Sequence, residues 1–191
     1  LIKYDKDMKY DDYKQTQIDT NLRKVSSMTP EHSWARPFEL LFIAALIKQH
    51  TKHPFAGICH GVRTGNEVRL FREYLDSEVI GTDISNTRFA DVVLWDFNEL
   101  NPDWVGKFDF VYSNAFDHSF DPGLTIKIWQ WQLRKCGKLF IHWGYENYTV
   151  NKPNCVGGTK KDVINLFVDN GITLIDCVPT HYDNRYVFIA A

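Results

Sequence analysis

The sequence predicts an α/β protein: a three-layer α/β/α sandwich whose mostly parallel sheet ends in an antiparallel hairpin. Three observations predict it. Short β-branched and aromatic runs alternate with helical stretches from about residue 55 to about residue 171, the pattern of strand–helix units covering both faces of a parallel sheet. The last two strand-like runs, 172–178 and 185–190, are joined by a loop too short for a helical crossover, so they should be antiparallel neighbours. Finally, 191 residues with 44% hydrophobic and 15% aromatic content are enough for one core without disulfide or metal staples.

The elements follow in order. Residues 1–28 are rich in Lys, Asp, Tyr and Gln with no sustained apolar period, and read as an arm or short helix packed on a domain spanning 29–191. Thr29-Pro30-Glu31 predicts a helix start with proline at the first helical position. That helix should bury Trp34, Phe38, Leu41, Phe42, Ala45 and Leu46, with Pro54 bounding its far side. Phe55–Cys59 predicts a strand, His60–Gly65 a glycine-bearing turn, and Asn66–Leu75 a helix with Val68, Phe71 and Leu75 inward. Strands are expected over Glu78–Ile84, Asp91–Trp95, Phe108–Ser113 and Lys138–Trp143, the last reached through a Cys136-Gly137 turn. Helices are expected over Leu124–Leu133 and Lys160–Asp169, the second stopped by Asn170-Gly171. Ile172–Val178 and Arg185–Ala190 form the hairpin around a polar loop with Pro179, His181, Asp183 and Asn184.

Composition narrows the function. Lys and Arg number 22 against 24 acidic residues, a formal net charge of -2 with no basic stripe, which disfavours nucleic acid as a partner. No apolar run approaches the roughly 20 residues of a membrane helix. Cys59, Cys136, Cys155 and Cys177 show neither metal-pair spacing nor a disulfide framework, and read as reduced thiols of a cytoplasmic protein. The chain starts at Leu1 rather than Met, which leaves a larger parent chain open, and nothing fixes an oligomeric state.

Ligands of an open parallel sheet bind beyond the carboxyl ends of its strands. The first such end carries Gly61-Val62-Arg63-Thr64-Gly65, where two glycines permit a sharp turn and a close backbone approach, followed by a helix whose N-terminus favours negative charge. Asp83 ends the second strand about 20 residues on, the spacing at which a carboxylate meets ribose hydroxyls; a cap or turn residue is the competing reading. Ile84 follows it. Asp96 and Phe97 end the third strand and suit an adenine, as amine acceptor and apolar face, against the alternative of a loop Asp beside a core Phe. Ser113 and Asn114 end the fourth.

In order and spacing these segments resemble class I S-adenosylmethionine-dependent methyltransferases over about residues 35–191. His60-Gly61-Val62-Arg63-Thr64-Gly65 is similar to their glycine-rich first motif. Asp83 and Asp96 fall at their ribose- and adenine-contacting acids, and Phe108–Asn114 at their fourth-strand motif. Asp117-His118 and Leu133–Leu139 resemble the small-molecule methylating branches. The resemblance implies a Rossmann-like seven-stranded sheet, S-adenosylmethionine as cofactor, and a small-molecule methyl acceptor, at hydroxyl oxygen or nitrogen. Two positions depart from the family: Cys59 stands where it usually has an acid that orients the cofactor's amino end, and Arg63 where it often has glycine. Arg63 then either reaches toward the methionine carboxylate or is a solvated turn residue.

Methyl transfer from a sulfonium is an in-line displacement, helped by near-attack positioning and, for a hydroxyl acceptor, by a base titrating near neutrality. His118 and His142 both fall at strand ends facing the expected pocket, each with a structural role as the alternative. His118 is favoured because Asp117 and Asp121 stand near it in sequence. His60 reads as packing or a backbone hydrogen bond, and His32, His50, His53 and His181 read as exposed without a role. The spacing demands no metal. Trp129, Trp131 and Trp143 read as core or pocket wall. Competing readings are a catalytically silent module of the same fold, an RNA methyltransferase domain of a larger chain, and a nicotinamide dehydrogenase. The last is disfavoured because the second and third glycines of its fingerprint are missing.

Overall fold

A computed structural model describes residues 2–4, 8–52, 55–87, 89, 92–144, 150, 154–181 and 184–191. Nine strands and five helices are found among these: β1 (Lys3–Tyr4), α1 (Tyr10–Val25), α2 (Pro37–His50), β2 (Ala56–His60), α3 (Asn66–Leu75), β3 (Glu78–Asp83), β4 (Val92–Leu94), β5 (Phe108–Ser113), α4 (Pro122–Gln132), β6 (Leu133–Trp143), β7 (Val156–Gly157), α5 (Lys160–Asp169), β8 (Leu174–Pro179) and β9 (Tyr186–Ala190).

Seven strands make the central sheet in the order β4-β3-β2-β5-β6-β9-β8. All neighbours are parallel except β9, which runs antiparallel to both β6 and β8. The expected three-layer sandwich with a terminal antiparallel hairpin is what forms. The chain enters at β2, builds outward to β4, then returns to the other side of β2 as β5. Connections therefore diverge between β2 and β5, which opens a crevice at their carboxyl ends.

Burial on both faces explains why the central strands are apolar almost throughout. Every residue of β5 is buried, and successive side chains go to opposite faces. Phe110 and Tyr112 join Leu40, Ile43, Ile47, Val68 and Phe71 under α2 and α3. Val111 joins Trp129, Phe167 and Phe188 under α4 and α5, and so does Phe108, which lies beyond an irregularity in the β5–β6 register between Phe108 and Phe110 that breaks the alternation. Each such side chain contributes about 1.5–3 kcal/mol by leaving water.

Several boundaries differ from expectation. Helix α2 opens at Pro37, not at Thr29. Proline still takes the first helical position, but the later proline is used because Glu39 can accept the Arg36 N–H at 3.0 Å and close the end. Its buried face is Leu40, Ile43, Ala44, Leu46 and Ile47, whereas Phe38 and Leu41 are exposed. The run is apolar nearly all round, so periodicity does not fix its phase. Burying Glu39 against His142 and Arg185 does. Pro54, His53, Asp91 and Asp183 lie outside the described residues. The third strand is short, and its Val93 and Leu94 are exposed at the sheet edge. β6 begins at Leu133 rather than Lys138, running through Cys136 at φ 71. Its register against β5 shifts between Phe108 and Phe110. A Cβ on Gly137 would come 2.9 Å from the Phe108 carbonyl, so glycine lets the strands close there. Of the three tryptophans, Trp129 and Trp143 are core and Trp131 is exposed.

Of the arm and the packed helix expected for the N-terminal segment, the helix is what forms. Sixteen of its residues form α1, and β1 pairs with β7 in a separate two-stranded sheet. Tyr10 and Tyr13 stack with ring centroids 5.8 Å apart, and both rest on Phe120. This lays α1 across the carboxyl end of the main sheet. No helix among the described residues is long and apolar enough to cross a membrane. None of the four cysteines forms a disulfide among the described residues.

Candidate functional site

The site starts where β2 ends. His60 is buried, and its ring nitrogens bond Thr82 Oγ1 on β3 and Gln132 Oε1 on α4, each at 2.8 Å, while the ring stacks on Trp129. Burial pushes its pKa down to about 4, so at neutral pH it is an uncharged tie between three elements. Of the two expected roles, packing is the one seen, against Trp129, and its hydrogen-bond partners are side chains rather than backbone.

The glycine turn then reverses the chain. Gly61 has φ 72 and Gly65 φ 76. The Gly61 and Val62 N–H groups both donate to the Thr82 carbonyl, at 2.8 and 3.1 Å. A Cβ on Gly61 would sit 2.5 Å from the Cβ of Ala115, so only glycine fits. Arg63 adopts the same left-handed region, φ 45, at a cost of about 1–2 kcal/mol for a residue with a Cβ. Three hydrogen bonds, to two residues, hold it there. Its N–H donates to Asp83 Oδ2 at 3.0 Å, and its guanidinium donates to the Asn21 side-chain carbonyl at 3.2 and 3.3 Å. Arg63 is thus half-buried, tied to both neighbours and at the edge of the cavities.

Asp83 is a buried hub. Its Oδ1 accepts from the Ser85 N–H at 3.0 Å, the Ser85 hydroxyl at 2.6 Å and Asn21 Nδ2 at 2.9 Å. Asp96 is arranged likewise, accepting from the Asn98 backbone and side-chain amides on Oδ1 and from the Tyr10 hydroxyl on Oδ2 at 2.8 Å. Burial, then the Asp96 charge, hold the Tyr10 phenol well above its usual range, so it stays a donor. Phe97 is buried with its ring edge-on to Trp129, 5.4 Å between centroids.

These groups surround two adjoining cavities that share Gly61, Arg63, Ala115 and His118. The larger, about 190 Å³, is lined by Lys24, His32, Trp34, Glu67, Asn114 and Asp117 among others. The narrower, about 30 Å³, lies between α1 and the strand ends, against Tyr13, Asn21, Asp83, Ile84, Asp96 and Phe97.

The structure brings together most of the residues singled out from sequence: Gly61, Val62, Arg63, Asp83, Ile84, Asp96, Phe97, Asn114 and His118 all line one cavity or the other. Gly65 stands behind them as the N-cap of α3. Ser113 lines neither cavity. Its hydroxyl donates to the His60 carbonyl and accepts the Ala115 N–H, both at 3.0 Å, which folds the loop. His142 lines neither as well. It is buried behind Trp34, with Nε2 3.5 Å from Glu39 Oε1 and its ring edge-on to Trp34. Burial pushes the Glu39 carboxyl up, but His142, the Arg36 N–H and Arg185 outweigh it and hold the group below its usual value.

His118 is partly exposed, with Nε2 4.0 Å from Asp117 Oδ1. Its carbonyl accepts the Tyr13 hydroxyl at 2.8 Å, which fixes the loop. Asp121 does not serve it; that carboxylate caps α4 by accepting from the Leu124 N–H. No cluster of three metal-ligating side chains occurs among the described residues.

Sequence reasoning missed the contribution of α1, and with it Tyr10, Tyr13, Asn21 and Lys24. With Gln17 between them they recur every three to four residues, the available signal, obscured by a polar face that meets carboxylates rather than a core. It also missed Glu67, an acid on the buried side of α3, and His32, which lines the larger cavity.

No protein-family model matches the chain, and no curated protein matches it by sequence. Solved structures do match in shape. A Burkholderia thailandensis 1,6-didemethyltoxoflavin-N1-methyltransferase with bound 1,6-didemethyltoxoflavin and S-adenosylhomocysteine is 16% identical, with a TM-score of 0.73 over 99% of this chain and 92% of that one. A SAM-dependent methyltransferase from Aquifex aeolicus is 15% identical, with a TM-score of 0.66 over 88% and 96%. A putative methyltransferase from Haloferax volcanii, solved with its Trm112 activator, is 14% identical, with a TM-score of 0.64 over 94% and 96%. The chain has the class I methyltransferase fold.

Proposed function

We propose that this protein binds S-adenosylmethionine and transfers its methyl group to a small-molecule acceptor, at hydroxyl oxygen or nitrogen. One observation carries the reading. The glycine turn, Asp83 and Asp96 converge on adjoining cavities at the topological switch point of a methyltransferase-type sheet.

The residues fit the cofactor. The Gly61 turn leaves backbone where a side chain would clash, and Asp83 and Asp96 offer acceptors suited to ribose hydroxyls and an adenine amine. Phe97 supplies the apolar wall and Asn114 lines the larger cavity. Each cavity is smaller than the roughly 300 Å³ of an ordinary ligand pocket. Occupancy therefore calls for α1 side chains to move off the two carboxylates. Bound there, the sulfonium supplies an electrophilic methyl carbon. The protein's part is to align donor and acceptor and exclude water. His118, shared by both cavities and close to Asp117, is placed to take a proton from a hydroxyl acceptor.

Native mass spectrometry and titration calorimetry with S-adenosylhomocysteine test the proposal. One equivalent bound is the expected result; failure to bind overturns it.

A further inference from the structure

Glu67 lies at the second position of α3 and is 3% exposed. Its Oε1 accepts from Asn114 Nδ2 at 3.0 Å, while Oε2 is buried with no hydrogen-bond partner among the described residues. A buried carboxylate oxygen without a donor is costly, and native structures rarely leave one so without a ligand to meet it. The side chain lines the larger cavity, whose opposite charges come from Arg63 and Lys24.

Other acids near the cavity are committed. Asp83 is saturated by Arg63, Asn21 and Ser85, and Asp117 faces His118. Cys59, at the end of β2, is fully buried, and burial raises its thiol well above the usual range, so it brings no negative charge. The larger cavity thus presents an acceptor with spare capacity and two cations, the complement of an α-amino acid zwitterion.

We propose that Glu67, through Oε2, receives the α-ammonium of the cofactor's methionine end, with Arg63 and Lys24 facing its α-carboxylate. The assignment rests on the cofactor reading above. Burial pushes the Glu67 carboxyl up to about 7, against the pull of its own backbone N–H, then of Asn114, Arg63 and Arg69. The groups around it are Cys59 on β2 and Tyr112 on β5, both kept neutral by burial, then Lys24 on α1, with His32, Asp117 and His118 on the same cavity wall. An ammonium held by Glu67 binds best once that carboxyl is ionised.

The test compares wild type with Glu67→Gln, which keeps the shape and the α3 packing. Two probes are titrated: S-adenosylhomocysteine, and 5′-methylthioadenosine, which has the adenosyl thioether but no amino acid. Glu67→Gln should weaken S-adenosylhomocysteine by about tenfold or more, as expected for a hydrogen bond to a charged group, and leave 5′-methylthioadenosine within about twofold. Wild-type affinity for S-adenosylhomocysteine should rise from about pH 6 to about pH 8 across the Glu67 titration. That rise should be lost in the variant, which retains His118 and His32. A variant that binds S-adenosylhomocysteine like wild type, or loses both probes equally, overturns the Glu67 assignment and leaves the cofactor reading standing. A wild type that binds neither probe overturns both.

Discussion

Asn21 and Asp83 are 62 residues apart in the chain, and the Asn21 side-chain amide donates to the Asp83 carboxylate at 2.9 Å. The carbonyl of the same Asn21 side chain accepts from Arg63, so one neutral residue of α1 satisfies both an anion and a cation of the strand-end site. Tyr10 likewise donates from α1 to Asp96. The N-terminal helix therefore supplies the donors that the two carboxylates would otherwise draw from a ligand.

Asn21 and Asp83 should behave oppositely on substitution. Asp83→Ala removes the ribose acceptor and should weaken S-adenosylhomocysteine by about 1.5–3 kcal/mol, the worth of hydrogen bonds to a charged group. Asn21→Ala removes only a competitor, so affinity should hold or rise while the ligand-free protein loses about 1 kcal/mol. Calorimetry and urea melts of both variants decide it. Loss of affinity in Asn21→Ala would mean that this amide contacts the ligand.

His118 and His142 should separate by phenotype. His118→Ala should lower turnover on a hydroxyl acceptor roughly 10²–10⁴-fold with cofactor affinity intact. His142→Ala opens the buried Glu39–Arg185 cluster and should cost stability, about 3 kcal/mol, with little change in turnover per folded molecule. Turnover measured beside the melting midpoint separates the two roles. Full activity in His118→Ala leaves positioning as the whole of catalysis.

Stability should depend on pH through two groups of opposite sign. His60 is held neutral, with a pKa near 4 against 6.5, so the unfolded chain binds the extra proton and its contribution is lost as pH falls from about 6.5 toward 4. Glu67 is raised to about 7 from 4.5, so its contribution is full below 4.5 and lost as pH rises through about 7. Each is on the order of 3 kcal/mol at most, and the two largely offset each other in wild type. His60→Gln should therefore become progressively less harmful, relative to wild type, as the medium is acidified. Glu67→Gln should gain on wild type as pH rises. Urea midpoints from about pH 4.5 to about pH 7.5 measure both differences, and pH-independent differences would refute the assignment of either group.

Ending the chain after Thr180 removes β9 and strips β6 and β8 of their shared neighbour. Val187, Phe188 and Ile189 are fully buried, so the shortened protein should be insoluble or lack a cooperative melt. A soluble, cooperative product by calorimetry would show the sheet to be complete without that strand.

The alternation of strand and helix, the sheet's ligand end and the Gly61–Asp83–Asp96 constellation were legible because each rests on local pattern and spacing. Helix α2 was legible as apolar but not in phase, since its sequence has no polar face wide enough to choose one. What chose it was Glu39 finding Arg185, 146 residues away. The role of α1 was hidden for a related reason. Tyr10 and Asn21 meet Asp96 and Asp83, polar partners that leave no hydrophobic signature. Glu67 looks like any surface acid until the cavity behind Asn114 is seen.

β9 follows β8 in the chain yet lies inside it in the sheet. When β8 leaves the ribosome it has no edge to join, because its partner is not yet made. Both β6 and β8 must wait with open hydrogen-bonding edges until β9 slides between them, a long-range pairing of the kind that slows folding. Assembly of this side of the sheet consequently waits on β9, and the interval before it is when the chain is most exposed to misassociation and to chaperone capture.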